Sequence, residues 1–116
     1  MKLQEAQKIL EATCLTSYDP DSAIVMKACA ADLLSDVLAF TETGTLLLTG
    51  LVHAQVIRTA EMLDLAAIVV VRGKQPSEEM VVLAKEKEIP LFSTPLNMYT
   101  AVGRLYTANV SGEAGE

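Results

Sequence analysis

The residues with the clearest capacity for chemistry are two cations that flank a glycine, Arg72-Gly73-Lys74, directly after an apolar run. Where a strand gives way to a helix, backbone N–H groups and positive charge can converge on an anion. A phosphate loop needs several glycines so that the backbone can approach its ligand, and this turn has one. Gly73 can instead simply supply a positive φ angle, while Pro76 and Ser77 start the following helix. The sequence favours a structural turn and leaves an anion site open.

The single histidine, His53, stands at the start of another helical segment. Catalysis by histidine also requires a nucleophile or a paired carboxylate held in place. Nothing in the sequence brings Asp36, Glu61 or Asp64 to His53. We therefore expect His53 to be a polar residue of a ligand site or an interface rather than a general base.

The acidic residues and the cysteines do not form a recognisable metal site. Asp32, Ser35 and Asp36 carry oxygen atoms that suit Mg²⁺, but a helix capped by Asp32 with a solvated polar face accounts for them better. Cys14 and Cys29 lack C-x-x-C spacing, which predicts two reduced thiols rather than a disulfide or a zinc site. We expect no metal and no cofactor.

The motifs that would indicate a common enzyme class are missing from the sequence. It contains no G-x-x-x-x-G-K-[ST], no G-x-G-x-x-G and no G-x-S-x-G. These motifs mark phosphate loops, dinucleotide sites and nucleophilic serines. The sequence therefore predicts a protein without enzymatic activity.

Composition and charge restrict the partners. Hydrophobic residues make up 51% of the 116 residues, and surplus apolar surface in so short a chain favours a homodimer. A formal net charge of −6 argues against nucleic-acid binding, which depends on basic patches. The longest apolar run, residues 65–71, is too short to span a membrane, and no signal peptide is recognisable. We expect a cytoplasmic protein.

Hydrophobic periodicity switches repeatedly between helical and extended spacing. Amphipathic spacing predicts helices within residues 3–12, 32–41, 53–64, 77–88 and 96–108, and short apolar runs predict strands at 24–30, 45–48, 66–71 and 89–94. The run 66–71 is β-branched and does not alternate, which is typical of a parallel strand buried on both faces. The fold class is thus α/β, a three-layer α/β/α sandwich with a mostly parallel sheet. We predict one domain over residues 1–108 and a disordered polar tail over 109–116.

Ligands of open α/β sheets bind beyond the carboxyl ends of the strands. Applied to the predicted strands, this rule gives eight candidate ligand-binding residues: Asp32, Thr49, Gly50, His53, Arg72, Gly73, Lys74 and Thr94.

Several blocks of the sequence, between about residues 28 and 106, resemble the DRTGG-domain family. They are "ADLLSDVLA", "TGLVHAQVIRTAEMLDLAAIVVV", "RGKQPSEEMVVLAKEKEIPLFST" and "YTAVGRLY". The resemblance implies a stand-alone α/β/α module similar to the N-terminal domain of HPr kinase/phosphorylase and, more distantly, of Mur ligases. It also implies packing and dimer contacts for Thr100 and Arg104. The name-giving string is absent, and Val71-Arg72-Gly73 stands where the family has a Thr-Gly-Gly-like turn, so a glycine is lost and a charge gained.

From the residues and the resemblance together we expect a non-catalytic regulatory or interaction module. It would form a homodimer and sense a small anionic ligand at the strand ends. It could also bind an unidentified protein partner. The alternative is a nucleotide- or phosphometabolite-binding receptor domain whose pocket is formed by Arg72, Lys74 and residues 49–53.

Overall fold

The computed structural model describes residues 1–112 of the 116-residue chain. In chain order, its helices and strands are α1 (Leu3–Ile9), β1 (Thr13–Cys14), β2 (Lys27–Ala30), α2 (Leu34–Phe40), β3 (Thr45–Thr49), α3 (Gln55–Leu63), β4 (Ala67–Val70), α4 (Glu78–Glu86), β5 (Leu91–Ser93) and α5 (Met98–Thr107). Each predicted helix and strand is present, and the short apolar piece near residue 14 adds an edge strand.

The five strands form one sheet in the order β1-β5-β4-β3-β2. Strands β2 to β5 are parallel, because a helix returns the chain to the same edge after β2, β3 and β4. Only two residues of β1 pair, antiparallel to β5. The parallel strands therefore end together, and their following loops gather at one edge of the sheet.

Helices cover both faces of the sheet, which confirms the predicted three-layer sandwich. Along β3, Leu46 and Leu48 pack with α1 and α5, whereas Leu47 packs with α2, α3 and α4. The same alternation along β4 places Val69 against α1 and α5, and Ile68 against α2, α3 and α4. Burial on both faces explains why this strand sequence has no polar alternation.

The start of α2 differs from its prediction. The N-cap position is Leu33, which makes no side-chain cap, and Asp32 does not cap the helix. Its carboxylate instead accepts the backbone N–H of Gly50 across the strand end. The helical spacing of residues 32–41 predicts that Leu33, Leu34, Val37 and Leu38 face the core, but Val37 alone is fully buried, and Leu33 and Leu38 are exposed.

Four helices end on a non-glycine residue with a left-handed backbone. These residues are Glu11, Asp64, Glu88 and Asn109, with φ between 51° and 69°. At each end two N–H groups reach back to carbonyls of the last turn, as in a Schellman motif, and the next residue is apolar. The pattern closes α1, α3, α4 and α5 without the glycine that usually marks it.

The predicted disordered tail does not hold for residues 109–112. After Asn109 turns the chain, Val110 N–H bonds the Leu105 carbonyl and its side chain is buried in the α1/α5 layer. The Ser111 carbonyl then accepts the N–H of Ala28 on β2. Residues 113–116 lie outside the described part of the chain.

Candidate functional site

The carboxyl ends of β2, β3 and β4 bring four of the predicted residues together. Asp32 follows β2, Thr49 and Gly50 end β3, and Lys74 follows the turn after β4. They meet because parallel strands end at the same edge, which was the basis of the prediction. Asp32, Gly50 and Lys74 remain accessible, whereas Thr49 is buried beneath them.

Asp32 is the centre of this group. Its Oδ1 accepts the backbone N–H of Gly50 at 2.6 Å and the hydroxyl of Thr49 at 3.2 Å. The Thr49 hydroxyl in turn accepts the N–H of Leu51 at 3.2 Å. Hydrogen bonds to a carboxylate are stronger than neutral ones, so this chain fixes the β3 end against the β2 end.

Lys74 closes the group from the β4 side. Its Nζ donates to the Gly50 carbonyl at 3.2 Å. A Cβ atom at position 50 would lie 3.3 Å from Lys74 Nζ and 3.4 Å from Asp32 Oδ1. A side chain at position 50 would therefore displace the ammonium by a few tenths of an ångström, whereas glycine leaves room for both groups.

The basic turn does not present its backbone amides to a ligand. Arg72 and Gly73 both have positive φ, 63° and 64°. The N–H of Arg72 bonds the Leu96 carbonyl, that of Gly73 bonds the Thr94 carbonyl, and that of Lys74 bonds the Val71 carbonyl. The turn is thus a structural junction, and an anion would meet the side-chain charges rather than an amide cradle.

Arg72 differs from the other non-glycine residues with positive φ in residues 1–112, since the others close helices. A left-handed backbone costs a non-glycine residue about 1–2 kcal/mol. Its side chain is exposed beside the strand ends. Such strain at a strand-end turn is a feature that functional sites commonly retain.

Thr94 is held inside the fold. It is 1% exposed, its hydroxyl donates to the Leu10 carbonyl at 2.5 Å, and it accepts the N–H of Leu96 at 3.2 Å. These bonds tie the end of α1 to the loop after β5. A role in ligand contact stays a prediction for Thr94, and its visible role is structural.

His53 is exposed and lies two residues before α3, which begins at Gln55. Its carbonyl accepts the N–H of Val56, so its backbone shapes the loop between β3 and the helix. Within residues 1–112, no group of three or more histidine, cysteine, aspartate or glutamate side chains is arranged to hold a metal ion. Cys14 and Cys29 are thiols and form no disulfide.

Two backbone carbonyls position the site: that of Val52, which lies in the predicted segment 49–53, and that of Leu96, which sequence reasoning missed. The Val52 carbonyl accepts the N–H of Ser77 and so joins the loop after β3 to the start of α4. The Leu96 carbonyl accepts the backbone N–H of Arg72. Both act through backbone carbonyls, which leave no signal in the amino-acid type.

The sequence matches the DRTGG domain over residues 5–108, which is most of the chain. The chain belongs to the DRTGG domain family. The family resemblance seen in the sequence is thereby confirmed.

A solved structure similar to this DRTGG domain is the regulatory region of a Clostridium perfringens pyrophosphatase, which comprises CBS and DRTGG domains complexed with the activator diadenosine tetraphosphate. The TM-score is 0.70 at 18% sequence identity, and the match covers 98% of this chain. At that identity the likeness establishes the shared fold. The DRTGG domain described here spans 51% of that regulatory region.

Comparison with curated proteins gave no match to this DRTGG domain. Among the described residues, no helix combines the length and the apolar character that crossing a bilayer requires.

Proposed function

We propose that this DRTGG domain is a non-catalytic regulatory module that acts as a homodimer and senses a small anionic ligand. The ligand would bind at the carboxyl ends of β2, β3 and β4, with Lys74 and Arg72 supplying positive charge. We expect the module to act in the cytoplasm, where its two thiols stay reduced.

The observation that carries this proposal is the joint position of Asp32, Gly50 and Lys74 at three strand ends. An ammonium group has three donors, and Lys74 uses one on the Gly50 carbonyl. Two N–H donors therefore remain for a ligand oxygen. The exposed Arg72 guanidinium is two residues away along the same turn and adds a fork suited to carboxylate or phosphate.

The strained backbone at Arg72 supports the same conclusion. Glycine would occupy that position without the left-handed penalty, yet an arginine stands there. A guanidinium that binds a ligand accounts for its retention at a strained position.

A specific observation favours the alternative of a nucleotide- or phosphometabolite-binding receptor. Both hydrogen bonds to Asp32 fall on Oδ1, so Oδ2 can accept hydroxyl groups of a ligand next to Lys74. A carboxylate that binds ribose hydroxyls beside cations that bind phosphate is a common arrangement in α/β sheets. The similar regulatory region was solved with diadenosine tetraphosphate, which adds weight to a phosphate-bearing ligand.

A thermal-shift panel tests the proposal. The ligands are inorganic phosphate, AMP, ATP, diadenosine tetraphosphate and a non-phosphorylated nucleoside. Ligand at 100 times Kd stabilises the folded state by about 2.7 kcal/mol, a rise in Tm of about 10 °C for a domain of this size. A binding ligand should lose most of this shift in Lys74→Gln, and the matched control Lys85→Gln, at the far end of α4, should keep it.

Two outcomes contradict the proposal, and a third comparison separates it from its alternative. A panel without any shift removes the ligand-sensing role. Equal losses in the Lys74 and Lys85 variants show that general charge, not the strand-end group, attracts the anion. A shift by phosphate and nucleotides alike supports anion sensing, whereas a shift by nucleotides alone supports the receptor alternative.

A further inference from the structure

Large apolar side chains are exposed around the edge strand β2. Six of them define what we call the β2 surface: Ile24, Met26, Leu33, Phe40, Val102 and Tyr106. Ile24 and Met26 lead into the strand, Leu33 and Phe40 belong to the helix that follows it, and Val102 and Tyr106 lie on α5. The surface thus includes contributions from the sheet edge and from the helical layers on both faces.

The α2 contribution comes from its two ends. In a helix of 100° per residue, Phe40 falls on one flank of the buried Val37, and Leu34 falls on the other. Leu34 packs against the layer that contains α3. Phe40 therefore lies on the flank away from Leu34, and Leu33 is the exposed N-cap residue that follows β2 by three positions.

The α5 contribution borders a cleft along the same strand. The cleft has a volume of about 440 Å³ and is lined by Ala28 and Ala30 of β2 and by Val102 and Tyr106 of α5. It is open because the two strand residues on this face are alanines, too small to reach the helix. An apolar side chain from outside can enter it.

The backbone edge of β2 is only partly covered. The Ala28 N–H points away from β3 and bonds the Ser111 carbonyl, and by alternation the backbone of Ala30 points outward as well. Natural sheets protect such edges with charges, prolines or covering segments. Among residues 1–112, this edge is protected by Lys27 and by the short stretch of residues 110–112.

The apolar area of the β2 surface suits a second copy of the chain. A fully exposed large apolar side chain presents roughly 200 Å². At their observed exposures, from 39% for Val102 to 71% for Tyr106, the six side chains present on the order of 700 Å². This summed area approaches the roughly 800 Å² per partner of a stable interface.

The charges on this side are also self-complementary. Lys27 and Glu42 form an ion pair at 3.1 Å with both side chains partly exposed. In a second copy related by a two-fold axis, Lys27 and Glu42 of each copy can face Glu42 and Lys27 of the other. The surfaces can therefore meet without like-charge repulsion. An isologous contact with another copy fits this balance better than a strongly charged partner does.

We propose that two copies of this DRTGG domain associate through their β2 surfaces, with the apolar side chains of α2 and α5 from each copy closing over the paired edges. This inference rests on the homodimer of the proposed function and assigns its interface. Aromatic side chains in the centre of such a contact usually carry most of its binding energy. Phe40 and Tyr106 are the aromatic members of the β2 surface.

Light scattering and sedimentation of charge variants test this assignment. The wild type should have twice its 12.4 kDa chain mass. Phe40→Glu and Tyr106→Glu should each raise the dimer dissociation constant at least about tenfold. The matched controls are Met62→Glu on α3 and Val82→Glu on α4, which are 72% and 49% exposed and lie outside the surface. They should leave the dissociation constant unchanged.

The outcomes separate this inference from the proposed function. A wild type that stays monomeric near 100 µM overturns both the interface and the homodimer. A dimer that dissociates with Met62→Glu or Val82→Glu, but not with Phe40→Glu or Tyr106→Glu, overturns the interface alone. Circular dichroism confirms that each variant is folded, and the two test positions lie on different helices, so one misfolded variant leaves the other as a test.

Discussion

Replacing Arg72 by glycine should make the DRTGG domain more stable and less able to bind an anion. Arg72 has φ 63°, a conformation that costs a non-glycine residue about 1–2 kcal/mol. Glycine avoids that cost but gains freedom in the unfolded chain, which removes about 0.4–1 kcal/mol. The net expected gain is about 0.5–1 kcal/mol in the free energy of unfolding.

The side chain of Arg72 should not offset this gain. It is exposed, and within residues 1–112 its guanidinium takes part in no ion pair. The hydrogen bond from its backbone N–H to the Leu96 carbonyl is kept by glycine. A gain of this size should raise Tm by about 2–5 °C in a calorimetric scan.

Two further variants separate strain from charge. Arg72→Ala removes the guanidinium and keeps the left-handed strain, so it should lose ligand-induced stabilisation without becoming more stable. Glu88→Gly relieves the same kind of strain at the end of α4, where φ is 56°, and should stabilise the domain without affecting ligand binding.

The reasoning is refuted if Arg72→Gly lowers Tm while Glu88→Gly raises it, because the arginine side chain would then stabilise the fold itself. It is also refuted if Arg72→Gly is more stable and keeps the full ligand shift. In that case the strain at Arg72 has no connection with the strand-end site.

Three other substitutions should have measurable effects on stability. Thr94→Val leaves the Leu10 carbonyl and the Leu96 amide without the buried hydroxyl, so urea unfolding should show a loss of about 1–3 kcal/mol that Thr94→Ser largely avoids; a loss below about 0.5 kcal/mol would contradict this. Gly103→Ala adds a Cβ that meets no atom within 4 Å inside α5, and calorimetry should show a gain of about 0.5–1 kcal/mol, whereas a loss would mean an unseen close contact. Burial raises the pKa of the Tyr18 hydroxyl, so the unfolded chain loses its proton first and stability should fall as pH rises above about 10; Tyr18→Phe should reduce this fall, and an unchanged slope would contradict the assignment.

The layered fold was predictable because its strands have an unusual composition. Residues 67–71 are apolar and mostly β-branched on both sides of the strand, and the structure buries all of them. Such a run has no stable place except between two helical layers. The order of strands and helices along the chain then permits little besides a parallel sheet.

Helix ends and helix faces were less predictable. Sequence rules look for glycine where a helix closes in a left-handed turn, but Glu11, Asp64, Glu88 and Asn109 serve here. The tail after α5 is predicted to be disordered from its polar composition, although the apolar Val110 follows Asn109 as a Schellman motif requires. On α5, the smaller Ala101 and Leu105 face the sheet, and both tyrosines face solvent. A rule that turns the largest side chains toward the core would therefore choose the wrong face of this helix.

The strand-end group was predictable in membership but not in geometry. Parallel topology brings Asp32, Gly50 and Lys74 together, and their residue types are visible in the sequence. Which of them bonds which backbone group depends on loop conformations that the sequence pattern does not encode. The Asp32 carboxylate was free to cap α2 or to bind Gly50, and the short distance between the β2 and β3 ends decided in favour of Gly50.

The same connection between β2 and α2 joins the two proposed surfaces. The Asp32 carboxylate accepts the backbone N–H of Gly50 at the strand ends. The next residue, Leu33, is an exposed member of the β2 surface. We expect a ligand that draws Lys74 or Asp32 away from Gly50 to shift the start of α2, and with it the proposed contact between copies. Linkage between two binding events is reciprocal. If dimerisation changes the affinity for the ligand by a certain factor, the ligand changes the dimer dissociation constant by the same factor. Sedimentation with and without ligand measures this factor, and a value of one would mean that the two surfaces act independently despite adjoining residues.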